Sequence, residues 1–126
     1  MLLDSNIIIY ASRSAHADLR HFIAQHGLAV SVISVVDVLG YHGLTHYDRL
    51  LFDEFFAASK QLPVSDPVIA RAVALRQEQR MALGDALIAA TAIVNGLALL
   101  THNVRDFKNI AGLVVVDPLE VIPRSE

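Results

Sequence analysis

Four aspartates lie where carboxylates could act together on one bound metal ion. Asp4 follows an apolar segment, and Asp37 lies within one. Asp85 opens an apolar segment, and Asp106 lies in the short polar loop that follows another. An unpaired carboxylate in apolar surroundings is costly, because burial disfavours the charged form. A shared divalent cation would remove that cost. The four residues are Asp4, Asp37, Asp85 and Asp106.

The chemistry of such a cluster is metal-assisted hydrolysis. A ligand set made only of oxygen suits Mg²⁺ or Mn²⁺ better than zinc or copper. A cation held this way hydrolyses phosphodiesters by generating hydroxide and by neutralising charge on the phosphate. Other reactions lack their residues, since the chain has no cysteine, no Gly-x-Ser-x-Gly motif and no clustered glycines.

Each aspartate also has an ordinary structural interpretation. Asp4 could cap a helix, and Asp85 could compensate the dipole at a helix start. The pattern Asn103-x-x-Asp106 could stabilise a turn. Asp37 has apolar neighbours on both sides, which disfavours full exposure and favours a functional role. The metal hypothesis therefore depends on the four carboxylates converging.

Composition predicts one domain, residues 1–126, with a single real core. The chain is 54% apolar with a net charge of -3, which argues against coating nucleic acid through a broad basic surface. The absence of cysteine suggests a reducing cytoplasm. No signal peptide is expected, and the apolar run 86–100 is shorter than the roughly 20 residues of a membrane span.

Short apolar runs alternate with helical patterns along the chain. This alternation predicts an α/β fold in which a central parallel sheet is covered on both faces, a three-layer α/β/α arrangement. Ligands collect at the carboxyl ends of such strands, so the four aspartates could converge there. The predicted strands are 1–3, 28–32, 61–64, 97–101 and 113–116.

Helices are predicted between these strands. The first begins near Asn6 with Ser5 as its cap, and Asp66 is predicted to cap another. The helix 47–59 is expected to have one face formed by Tyr47, Leu51, Phe55 and Ala58. The remaining helices are predicted at 17–25, 34–42, 66–80 and 85–95.

Four segments resemble the PIN-domain nucleases, and specifically the VapC-type toxins of bacterial and archaeal toxin–antitoxin pairs. Residues 2–7 resemble the family's opening Leu-Asp-Thr-Asn, and residues 31–37 resemble its Ser-x-x-Thr-x-x-Glu. Residues 85–92 and 100–107 match the family's sequence motifs almost residue for residue. The resemblance covers essentially the whole chain.

The resemblance implies an endoribonuclease dependent on Mg²⁺ or Mn²⁺ that leaves a 5′-phosphate and a 3′-hydroxyl. It makes Asp4 and Asp85 the principal metal ligands, with Asp37 and Asp106 completing the acidic cluster and positioning the water. Three polar residues would hold those carboxylates in place. They are Ser5, Asn6 and Asn103.

One departure from the family pattern keeps a second function open. Asp37 stands where the family usually has glutamate, and the shorter arm loses about 1.5 Å of reach. A displacement of that order can cost on the order of 100-fold in rate. The alternative is a PIN-fold binding module whose metal site is weakened or inactive. Ser5 and Ser34 stand where the family pattern has threonine, and serine keeps the hydroxyl.

The resemblance also implies partners: a VapB-type antitoxin, an RNA substrate and a second copy of the chain in a homodimer. An antitoxin segment would need exposed apolar anchors, which could equally be core residues. The candidates are Tyr41, Tyr47, Phe52, Phe55 and Phe56. Arg13, Arg105 and Lys108 could hold RNA phosphates or act as counter-charges to the acidic site.

Overall fold

A five-stranded parallel sheet forms the centre of the computed structural model, which describes residues 1–13, 17–27 and 29–121. The strand order is β3-β2-β1-β4-β5, so the first strand of the chain is the middle one. Leu28, predicted to begin the second strand, lies outside the described residues. The strands are β1 (Leu2–Leu3), β2 (Ala29–Ser31), β3 (Lys60–Leu62), β4 (Leu99–Leu100) and β5 (Val115–Val116).

Helices connect these strands, as parallel pairing requires. They are α1 (Ser5–Ala11), α2 (Ala17–His26), α3 (Val32–Leu39), α4 (His46–Ala58), α5 (Asp66–Glu78), α6 (Leu83–Val94) and α7 (Pro118–Val121), with a 3₁₀ helix at Val104–Phe107. All five strands are shorter than the apolar runs that predicted them. Val32, for example, begins α3 because the Ser31 hydroxyl accepts the Ile33 backbone N–H at 3.0 Å and so caps that helix.

Successive strand residues face opposite sides of the sheet. Leu2 and Leu99 pack in one apolar cluster with residues of α5 and α6, whereas Leu3 and Leu100 pack in a second cluster with residues of α1, α2 and α4. Because both faces of β1 and β4 are buried, these two strands read as continuous apolar runs. The predicted three-layer α/β/α arrangement with a central parallel sheet is confirmed.

The predicted helix caps at Ser5 and Asp66 are wrong by one residue. Asp4 caps α1, because its carboxylate accepts the Ser5 backbone N–H at 2.8 Å from an extended conformation. Ser65 caps α5, where its hydroxyl accepts the Val68 backbone N–H at 3.4 Å. The first cap matters for function, since it fixes one oxygen of Asp4 at the end of the central strand.

The predicted apolar face of α4 is also wrong. The core residues of this helix are Phe52 and Phe56, whereas Tyr47 is 70% exposed. The stripe Tyr47, Leu51 and Phe55 instead lines a groove between α1, α2 and α4. Within the described residues, no helix is both long and apolar enough to cross a membrane.

Candidate active site

Asp4 stands at the carboxyl end of the central strand and is only 7% exposed. Its Oδ1 accepts the Ser5 backbone N–H at 2.8 Å, and its Oδ2 accepts the hydroxyl of Thr101 at 2.7 Å. Thr101 is fully buried and directly follows β4, the neighbouring strand. Two strand ends therefore orient both oxygens of one carboxylate.

Asp37 is joined to the same edge by two serine hydroxyls. Its Oδ2 lies 3.2 Å from Ser5 Oγ, which also lies 3.0 Å from Ser34 Oγ. A hydroxyl has one proton, so Ser34 can donate to Ser5 while Ser5 donates to Asp37. The start of α1 thus holds Asp4 through its backbone and Asp37 through its side chain.

Asp85 and Asp106 approach from the other half of the chain. Asp85 is half-buried in the first turn of α6, whose neighbouring Ala86 and Ala89 are fully buried. Asp106 is exposed in the 3₁₀ helix that follows β4, and its backbone N–H donates to the Asn103 carbonyl at 3.0 Å.

The carboxylates are close enough to affect one another electrostatically. Burial raises the pKa of Asp4 above its ordinary value, the hydrogen bonds from Thr101 and Ser5 lower it, and the charges of Asp37 and Asp106 raise it again. Burial also raises the pKa of Asp85, and the charges of Asp106, Asp4 and Asp37 add to that rise. The charges of the four carboxylates therefore act on one another, and their joint role in binding a metal and in catalysis stays a prediction.

The residues of this site fit a divalent cation. All four side chains offer oxygen only, and their mutual repulsion is of the kind that a bound cation relieves. No three Asp, Glu or His side chains within residues 1–13, 17–27 and 29–121 are grouped closely enough to hold an ion by themselves. Water or substrate oxygens would complete the coordination, as Mg²⁺ commonly requires.

The three predicted supporting residues differ in what they contact. Ser5 contacts two of the carboxylates. The amide oxygen of Asn6 is buried without a hydrogen-bond partner among the described residues. Asn103 is exposed, and its backbone N–H donates to the Thr101 hydroxyl at 3.0 Å, so it contacts the site through its main chain.

The three predicted cations are all exposed, but they lie in different places. Arg13 lines a small cleft together with Asn6. Arg105 immediately precedes Asp106 in the 3₁₀ helix. Lys108 lines a separate hollow beside Phe107 and Val115. Of the three, Arg13 therefore shares a cleft with Asn6, one of the predicted supporting residues.

Sequence reasoning gave no role to Thr101, and none to Ser34 beyond its match to a family threonine. Both are fully buried, and both bond to groups of the acidic site or to Ser5. A hydroxyl directly after a buried strand is a usable signal, because a buried hydroxyl needs a partner and the strand end offers a carboxylate.

This fold and this acidic edge define a class of protein. The family model described as PIN domain matches residues 1–113, and the chain belongs to that family. The resemblance on which the sequence interpretation rested is therefore confirmed.

Proteins similar to this chain include a ribonuclease and chains of toxin–antitoxin complexes. Ribonuclease VapC1 of Rickettsia felis is 58% identical over 41 residues, a segment that spans 31% of this chain and 31% of that protein. A toxin–antitoxin complex from Klebsiella pneumoniae contains a chain that is 30% identical, with 93% of this chain and 96% of that one covered and a TM-score of 0.76. VapBC from Salmonella typhimurium, solved bound to DNA, has a TM-score of 0.82 at 19% identity over 92% of this chain and 96% of that one, which is a likeness of fold.

Proposed function

We propose that this chain, as one PIN domain of 126 residues, is the toxin of a toxin–antitoxin pair and a metal-dependent endoribonuclease. The observation that supports the proposal is that Ser5 and Thr101 hold Asp4 at the end of the central strand. The charges of Asp37, Asp85 and Asp106 act together with that of Asp4. Ribonuclease VapC1 and the toxin–antitoxin complex from Klebsiella pneumoniae support the reaction class and the biological setting.

Asp4 and Asp85 would hold the cation, which we propose is Mg²⁺ or Mn²⁺. When bound, the ion would lower the pKa of a water molecule and offset the charge of the scissile phosphate. Asp4 suits this role because Thr101 and the Ser5 backbone already fix both of its oxygens, so little ordering is needed.

Asp37 and Asp106 would act on the attacking water. Both are exposed, so both can reach a water molecule, and Asp37 is steadied by Ser5. The water oxygen would attack phosphorus in line with the 3′-oxygen, while a carboxylate orients the water and accepts its proton. Breaking the bond between phosphorus and the 3′-oxygen would leave a 5′-phosphate and a 3′-hydroxyl.

The groove between α1, α2 and α4 would bind the antitoxin. Its volume is about 460 Å³, and apolar side chains dominate its lining, which suits an amphipathic partner segment. Of the five aromatic anchors predicted, Tyr47, Phe52 and Phe55 line this groove, although Phe52 is also a buried core residue. Phe56 is buried in the core, and Tyr41 is exposed but is not part of the groove lining. The lining residues are Ile8, Ala11, Ser12, Arg20, Ile23, Ala24, Tyr47, Leu51, Phe52 and Phe55.

Three further parts of the proposal rest on the resemblance. The chain would form a homodimer, which light scattering on the purified protein would detect as twice the 13.7 kDa chain mass. It would act in the cytoplasm, where single-stranded loops of RNA offer unstacked bases. Which RNA it cuts would depend on loop shape and stacking rather than on the acidic site.

The test is cleavage of a folded RNA pool by the purified chain in Mg²⁺, in Mn²⁺ and in EDTA. We expect cutting with either metal, none in EDTA, and none by Asp4→Asn. Asp53→Asn is the matched control, because Asp53 is an exposed aspartate of α4 paired only with Arg49. Such surface pairs contribute about 0–1 kcal/mol to stability, so this variant should cut normally.

Products carrying a 5′-phosphate would be ligated directly to the 3′-hydroxyl of an RNA adaptor, whereas 5′-hydroxyl products would first have to be phosphorylated. A folded chain that cuts no RNA in either metal would refute the enzyme and favour the alternative, a PIN-fold binding module with a weakened site. RNA cleavage that persists in EDTA would refute the dependence on a metal ion.

A further inference from the structure

A small cleft opens along α1 beside the acidic site. It has a volume of about 260 Å³ and is lined by Asn6, Ile9, Tyr10 and Arg13. Asn6 and Tyr10 are four residues apart, so they share one face of the helix. The helix is capped by Asp4, so the cleft begins within one helical turn of the carboxylate at the centre of the site.

Tyr10 is an exposed aromatic ring held in a fixed orientation. It is 40% exposed, and it meets the His102 ring edge to face with centroids 4.8 Å apart. His102 Nδ1 in turn lies 3.3 Å from Asp117 Oδ1, and both of those side chains are about four-fifths buried. The ends of two strands therefore brace the ring from behind, while two-fifths of the side chain faces solvent.

The other walls of the cleft supply a cation and a hydrogen-bond acceptor. Arg13 is exposed, and its carbonyl accepts from Arg20 Nη1 at 2.6 Å, which anchors the backbone from which its side chain extends. The Asn6 amide oxygen has no partner among the described residues, and a buried acceptor without a donor is destabilising.

We propose that this cleft binds the nucleotide next to the scissile phosphate, with its base stacked on Tyr10. Arg13 contacts the phosphate of that nucleotide. Single-stranded RNA is bound in this way, by bases stacked on aromatic rings and phosphates held by cations. Stacking on one ring tolerates any base, so the cleft orders the strand without reading its sequence. The inference rests on the proposed ribonuclease function.

The test uses single-stranded RNA of about twelve nucleotides, each carrying one 2-aminopurine whose fluorescence falls on stacking. Binding is measured in the non-cleaving Asp85→Asn background. Tyr10→Ala should weaken Kd about 10-fold, within the range that loss of one base–aromatic stack produces. It should also abolish the fluorescence loss at one nucleotide position, whereas Tyr10→Phe, which keeps the ring, should retain both.

Arg13→Ala gives a second, independent readout. It should weaken binding and reduce the slope of log Kd against log salt by about one, as loss of one phosphate contact does. The control is Tyr41→Ala, since Tyr41 is a tyrosine of higher exposure, 59%, that lies outside the cleft. That variant should bind RNA as the Asp85→Asn parent does.

The outcomes separate this inference from the function on which it rests. One outcome is that the unmodified chain cuts RNA, while Tyr10→Ala and Arg13→Ala bind RNA as tightly as their Asp85→Asn parent. That outcome would refute RNA binding in the cleft and leave the ribonuclease function standing. If the unmodified chain neither binds nor cuts RNA, both are refuted. If Tyr10→Ala fails to fold, the salt slope of Arg13→Ala decides, because that side chain is exposed.

Discussion

Replacing Thr101 with valine tests how strongly the fold depends on its acidic site. Valine keeps the shape of the side chain and removes a hydroxyl that makes two hydrogen bonds. One is donated to Asp4 Oδ2 at 2.7 Å, and the other is accepted from the Asn103 backbone N–H at 3.0 Å. A bond to a charged group contributes about 1.5–3 kcal/mol and a neutral one about 0.5–1.5 kcal/mol, so we expect a loss of about 2–4 kcal/mol.

The loss should depend on pH. The Thr101 hydrogen bond lowers the pKa of Asp4, which burial raises, so removing that bond raises the pKa further. The destabilisation should therefore be greatest at pH values above the raised pKa, where Asp4 is charged. It becomes smaller as pH falls through the raised pKa, because a neutral carboxyl gains less from a donor.

Thr91→Val is the matched control. Thr91 is equally buried, and its hydroxyl donates over the same 2.7 Å, but to the neutral carbonyl of Leu87 one helical turn earlier. Its loss should cost about 0.5–1.5 kcal/mol at every pH. Urea unfolding of both variants in EDTA at pH 4.5, 6.0 and 7.5 makes the comparison. The reasoning would be refuted if both variants lost the same free energy of unfolding, or if the loss in Thr101→Val did not change with pH.

Further predictions concern the same site and the groove. Because the pKa values of Asp4 and Asp85 are raised in the folded chain, folding binds protons, and metal-free stability should fall as pH rises through those values. Asp85→Asn should flatten that fall and stabilise the metal-free chain at pH 7.5, which urea unfolding in EDTA measures; a loss of stability there would contradict it. Mn²⁺ at 100 times its Kd should stabilise the unmodified chain by about 2.7 kcal/mol in the same assay, and should not stabilise Asp85→Asn. Ser5→Ala should lower kcat roughly 10-fold with little change in KM, because Asp37 loses the hydroxyl at 3.2 Å; Ser5→Thr should preserve the rate. Tyr47→Glu places a charge in the apolar groove at a position 70% exposed, so co-purification with the antitoxin should fail while the melting temperature stays within a few degrees.

The order of elements could be predicted because it depends on apolar periodicity, which the sequence carries directly. Strand residues such as Leu2 and Leu3 read as continuous apolar runs because opposite faces of the sheet are both covered. The four aspartates could be assigned to one edge because parallel strands end on the same side. These inferences need no knowledge of distances.

What could not be predicted depends on competition between neighbouring groups. Asp4 and Ser5 are both good helix caps, and only the position of the strand end decides that Asp4 takes this role. The stripe on α4 reads as core, yet Tyr47 lies in a groove because Phe52 and Phe56 face the sheet. Thr101 acquires its role only through a contact 97 residues away in the chain.

The hydrogen bond between Thr101 and Asp4 determines when the acidic site can form during synthesis of the protein. Asp4 is translated first, but the strand that pairs beside it and the hydroxyl that orients it lie 97 residues later. At about 5–20 residues per second, Asp4 waits roughly 5–20 s for Thr101 to be made. A chain released early by interrupted translation would therefore lack β4 and the 3₁₀ helix with Asp106, and so could not assemble the acidic cluster. Because β1 is the middle strand, the acidic site can form only after β4 and the 3₁₀ helix have been synthesised.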